Sequence, residues 1–177
     1  MPARSAFTAP PLSRLRAALA DWWRTDGLTW VHIFKTLAAA FLALGIAMRL
    51  ELPQPRTALT TAFIVMQPQS GAVFAKSLYR VGGTLVGLIA TLTFIALFSQ
   101  QSELFIGALA IWTGICTAGA ARNRNFRSYG FLLAGYTAAL TGIPASQNPD
   151  GAFLAALTRG AEVMVGVVSA GVISALV

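Results

Sequence analysis

Arg159 and Glu162 stand three residues apart inside a long apolar run, so a helix puts both on one face. Of the six acids in the chain, Asp21, Asp26, Glu51, Glu103 and Asp150 fall in the N-terminal arm or at the ends of apolar segments. Glu162 alone lies deep in one, about 16 Å along the axis and so near the middle of a bilayer. A charge at that depth is costly and normally faces a bundle interior with a partner. Two roles fit it. Glu162 could accept and release protons, coupling a gradient to transport. Alternatively, Arg159 and Glu162 form a satisfied ion pair that fixes helix packing.

Arg80 is the second candidate. In KSLYRVGGTLVG it enters an apolar run a turn or two from its start, where it could attract an anion or snorkel to lipid headgroups. Gln67, Pro68 and Gln69 follow a short apolar segment and are candidates for lining a cavity, as is Tyr136. Tyr79 and the single histidine, His32, read as interface anchors or packing residues. Nothing in the sequence has metal-ligand spacing, a phosphate-binding glycine loop or a nucleophilic triad, so neither an enzyme nor a cofactor is expected. The lone Cys116 allows no intrachain disulfide and reads as a small packing residue.

The elements that must position these residues are apolar. The chain is 56% hydrophobic and 11% charged, whereas soluble domains are about 25% charged. The net charge of +7 comes from short basic clusters between apolar runs. That is a membrane pattern, not a nucleic-acid one. Residues 1–11 read as a disordered arm and 12–25 as an amphipathic helix lying in the interface, with Leu12, Leu15, Leu19 and Trp22 on one face. Asp26 and Gly27 then open a transmembrane domain over 28–177, with segments at about 28–50, 56–67, 74–98, 103–121, 126–143 and 151–177. The expected fold is an all-α polytopic bundle of about six transmembrane helices. Segment two is too short to span a bilayer by itself. It is tilted, broken at Pro68 or continued in non-helical backbone, or else it extends as helix through Gln69. Gly83, Gly87 and Gly166 are candidates for close helix packing.

Counting charges gives an orientation. With six crossings and the N-terminus inside, ten of the thirteen Lys and Arg residues face the cytoplasm. Arg49, Arg56 and Arg159 fall on the other side, and this asymmetry favours a cytoplasmic N-terminus.

Four stretches carry a family resemblance: PRTALTTAFIVMQPQ (55–69), YRVGGTLVG (79–87), IWTGICTAGAARNRNFRSYGFLLAGYTAAL (111–140) and RGAEVMVGVVSA (159–170). Together they resemble the N-terminal membrane region of the fusaric acid resistance and aromatic acid exporter family, over roughly residues 28–177. The more specific parts are Arg80, Gly83, Thr84 and Gly87, then A-G-Y-T-A at 134–138, then Arg159, Glu162 and Gly166.

The resemblance implies a bacterial inner-membrane efflux component, driven by the proton gradient, that exports aromatic carboxylates or similar small organic anions. Its implied partners are the lipid bilayer, the substrate anion and a periplasmic adaptor protein, with no nucleic acid. Such proteins are usually far longer, so the resemblance also implies a homo-oligomer or a missing C-terminal half. In this reading Arg80 and Arg159 attract the anion and Glu162 handles protons. A passive organic-anion channel and a non-transporting membrane scaffold remain as alternatives.

Overall fold

The computed structural model describes the backbone of residues 11–98 and 100–176, and the side chains of 27, 29–69, 71–98 and 100–176. Among them the chain is a bundle of six α-helices: α1 (Pro11–Arg49), α2 (Pro55–Val65), α3 (Ser70–Phe98), α4 (Ser102–Arg122), α5 (Phe126–Gln147) and α6 (Ala152–Leu176). A 3-10 turn, Pro149–Gly151, leads into α6. Four stretches are long and apolar enough to cross a membrane: Thr29–Arg49 of α1, Gly71–Phe98, Ser102–Arg122 and Pro149–Leu176. At 11 residues, α2 covers only about 16 Å. α5 has 22 residues but is diluted by Tyr129, Tyr136, Thr141 and Pro144, which border a cavity.

Large apolar side chains cover the outside. Phe34, Phe41, Phe74, Ile89, Leu97, Ile111 and Phe153 are each more than 60% exposed. Water would not tolerate so much apolar surface, but lipid tails are its natural solvent. Inside, the helices form two packets. In the first, Ala39, Ala43 and Ala47 recur every four residues along α1 and are fully buried. They meet Ala58, Ala62 and Val65 of α2 and Ala170 of α6. In the second, α3 lies almost backbone to backbone on α5. A Cβ on Gly83 would stand 2.5 Å from the Gly130 carbonyl oxygen, and one on Gly87 2.7 Å from that of Ala134. α4 closes this packet with Phe105 and Leu109, and Trp112 meets Phe94 edge-on at 6.0 Å. Contacts between α3 and α6 join the packets.

The start of the first span differs from the sequence expectation. The helix runs through Asp26 and Gly27 without a break, so the segment 12–25 is the first part of α1 and not a separate helix. A lone glycine costs a helix interior only about 1 kcal/mol against alanine, too little to end a long helix by itself. The arm at 1–10 lies outside the described residues, and so do the side chains on which the interfacial reading of 12–25 rests.

Both ends of α2 are sharp. α1 closes with Leu52 N–H donating to the Ala47 carbonyl at 3.1 Å and Glu51 N–H to that of Met48 at 3.2 Å. Glu51 has φ 51°, in the left-handed position that glycine usually fills at a helix end. The anchoring contact comes from Leu52, packed on the first packet. The chain then passes through Pro53-Gln54-Pro55, and Pro55 starts α2 with its φ already set. At the other end Met66 is extended, with ψ 131°. Pro68 disfavours helix in the residue before it, so the second segment breaks and does not run on through Gln69.

Candidate functional site

The cavity lies between the two packets. Its volume is about 970 Å³, and α2, α3, α5, α6 and the turn before α2 all line it. Its charged lining groups are Arg56, Arg80, Arg159 and Glu162.

One turn of α2 organises the arginines. Thr57 and Thr61 are four residues apart and both buried, so they share a face about 6 Å along the axis from each other. Arg159 Nη1 of α6 donates to Thr57 Oγ1 at 2.7 Å. Arg80 Nη2 of α3 donates to Thr61 Oγ1 at 2.9 Å. The register follows from Gly166, where an added Cβ would stand 2.5 Å from the Ala58 carbonyl oxygen and 2.6 Å from Thr61 Cβ. Only glycine lets α6 come this close to α2.

At the Arg159 corner the charge is compensated. Glu162 Oε2 stands 4.0 Å from Arg159 Nη1, and its other oxygen accepts from Gln54 N–H at 2.8 Å. Pro53 and Pro55 have no N–H, so Gln54 offers the single backbone donor of that triplet. Glu162 thereby sits at the N-terminal end of α2, where the helix dipole favours negative charge. With 2% exposure it is among the most buried side chains described.

The Arg80 corner is not compensated. The residue is 5% exposed and lies about 14 Å along the span from Gly71. Arg80 Nη1 donates to Tyr129 Oη at 2.8 Å, so both acceptors of its terminal nitrogens are neutral hydroxyls. Among the described residues no carboxylate pairs with it. Its Nε is buried without a partner, as is that of Arg159. Lys76, one turn earlier on α3, stands 5.5 Å from the centroid of the Tyr129 ring, a cation–π distance. Tyr129 thus contacts two cations.

Of the residues singled out from sequence, Arg80, Arg159, Glu162 and Tyr136 all line this cavity. Gln67, Pro68 and Gln69 form the break after α2 and are not among its lining residues; nor are His32 and Tyr79. Tyr79 packs against Gly130, where a Cβ would come within 3.2 Å of its ring, and Cys116 is buried against Gly135. Sequence reasoning missed Thr57, Thr61, Tyr129 and Gln54. The four-residue threonine spacing on a short helix was a signal for the first two; the others depend on how the helices pack.

Residues 29–177 match the profile of the Fusaric acid resistance protein family, FUSC. The chain belongs to this family. Among individual proteins it is similar to the uncharacterized transporter YdhK of Escherichia coli strain K12, 35% identical over 152 residues, which are 85% of this chain and 23% of that protein. It is similar to the p-hydroxybenzoic acid efflux pump subunit AaeB of Enterobacter cloacae, 34% identical over 77% of this chain and 22% of AaeB. The fusaric acid resistance protein FusB of Burkholderia cepacia is 52% identical over 67 residues, 38% of this chain and 47% of FusB. The chain therefore spans less than a quarter of the length of YdhK and of AaeB. No solved structure matches it.

Proposed function

We propose that this chain is the membrane permease component of an efflux transporter for small, mostly aromatic, organic anions, driven by the proton gradient. One observation carries the reading: Arg80 is buried in the wall of the cavity, and its acceptors among the described residues are neutral hydroxyls. A guanidinium in a low-dielectric site with no counter-ion binds an entering carboxylate strongly. The cavity volume, about 970 Å³, is in the range of small-molecule sites. The wall formed by Leu132, Tyr136, Leu140 and Leu154 offers apolar contact to a ring. The names of FusB and AaeB agree with this class of cargo.

Arg159 supplies a second guanidinium, and Glu162, deep in α6 between that arginine and Gln54, is the proton-coupling group. The reading includes the bacterial inner membrane as location, a cytoplasmic N-terminus, a periplasmic adaptor and either self-association or a further membrane half as partners. A second role for Glu162 has an observation in its favour. Its hydrogen bond to Gln54 N–H ties α6 to the start of α2, which is what a purely structural carboxylate would do.

The test is equilibrium binding of benzoate to the chain in lipid nanodiscs. The wild type should bind, and Arg80→Gln should weaken binding about 100-fold. Wild-type protein that binds no benzoate, or an Arg80→Gln variant that binds as well as wild type, would overturn the reading.

A further inference from the structure

We propose that Thr61 and Thr57 are positioning residues that set selectivity for anions: they hold Arg80 and Arg159 by neutral acceptors, so neither threonine cancels the charge it orients. The inference rests on the anion-binding reading above and extends it to two residues that touch the arginines. A buried guanidinium needs acceptors for its donors. The usual acceptor is a carboxylate, which orients the group and also neutralises it. Here α2 supplies hydroxyls instead, at 2.9 Å to Arg80 and 2.7 Å to Arg159. Tyr129 supplies a third, at 2.8 Å to Arg80.

The placement of both threonines is closely determined. Each is buried, Thr61 completely. α6 approaches so closely at Gly166 that an added Cβ would stand 2.6 Å from Thr61 Cβ and 2.8 Å from its Cγ2, which leaves that side chain little room to move. The Nε atoms of Arg80 and Arg159 are buried and have no partner among the described residues. An anion in the cavity meets two guanidinium groups that the threonines hold without neutralising. α2 therefore works as a short scaffold. Its alanine face packs on α1 and α6, while its threonine face holds two cations at a spacing of one helical turn.

Asparagine and aspartate have nearly the same shape and differ in charge, so the decisive experiment pairs Thr61→Asn with Thr61→Asp and measures benzoate binding in nanodiscs. Thr61→Asn should bind within about threefold of wild type, and Thr61→Asp should bind about 100-fold more weakly, because its carboxylate neutralises Arg80. The same pair at Thr57 should show the same order with a smaller gap, because Glu162 already offsets Arg159. This second pair decides the matter if the buried Thr61 variants do not fold. Equal losses in Asn and Asp variants would mean that the threonines only fill space, and unchanged binding in both would mean that they do not position the arginines. Either result overturns the inference while wild-type binding, and its loss in Arg80→Gln, leave the anion-binding reading standing.

Discussion

Two arginines meet the same face of α2 one turn apart, and their surroundings differ above all in one nearby carboxylate. Arg159 has a carboxylate 4.0 Å away; Arg80 has none among the described residues. Both donate to a threonine hydroxyl, both line the same cavity, and both keep a buried Nε without a partner. The difference separates two tasks that one residue type could perform. The compensated corner, with Glu162 tied to Gln54 N–H, holds α6 against the start of α2 and contains the one deeply placed acid. On the proposed reading, the uncompensated corner is the one that would attract an anion most strongly, because no carboxylate among the described residues offsets Arg80.

Removing the acid makes the two corners alike and should have the largest effect. In the full-length or dimeric protein, Glu162→Gln should abolish proton-driven uptake of benzoate into everted membrane vesicles while leaving membrane insertion intact. The glutamine can still accept from Gln54 N–H, so the tie to α2 survives. Equilibrium binding of benzoate should tighten by about 1 kcal/mol, since one negative charge has left the cavity. Export that continues at the wild-type rate would assign Glu162 to structure alone.

The register that sets up the comparison can be broken next. Gly166→Ala would put a Cβ 2.5 Å from the Ala58 carbonyl oxygen. It should lower stability by about 1–3 kcal/mol, as overpacking does, read as a lower unfolding midpoint in detergent. Unchanged stability would show that α2 and α6 can separate freely at this point. The smallest effect belongs to the aromatic wall. Tyr136 is 52% exposed, and Tyr136→Phe should change benzoate affinity less than about threefold, because the ring that supplies apolar contact is kept. A larger loss would give the Tyr136 hydroxyl a direct part in binding.

Much of the scaffold was legible in the sequence. The apolar runs marked α3, α4 and α6, because twenty or so apolar residues have few other uses. The proline at 68 marked a break because its ring disfavours helix at Gln67, although α2 already ends one residue earlier, where Met66 turns extended. The uninterrupted α1 was not legible, since Gly27 can end a helix or sit inside one, and neighbouring residues decide which. The site was half legible. Arg80, Arg159 and Glu162 stood out because charge in an apolar run is costly wherever it faces. Their partners did not stand out. Thr61 and Tyr129 lie 19 and 49 residues from Arg80, and Gln54 lies 108 residues from Glu162. Periodicity says which residues share a face of one helix, not which helices meet. Those meetings depend on glycines such as Gly83, Gly87 and Gly166, whose role becomes specific only once the facing carbonyl is known.

The most direct test of the difference between the two corners removes each in a way that isolates its charge. Benzoate affinity in nanodiscs should be compared between Arg80→Gln and the double variant Arg159→Gln/Glu162→Gln. The double variant deletes the compensated pair and leaves the net charge of the cavity unchanged. The account predicts about a 100-fold loss for Arg80→Gln and a change within about threefold for the double variant, less than 1 kcal/mol. A double variant that loses as much affinity as Arg80→Gln would contradict it.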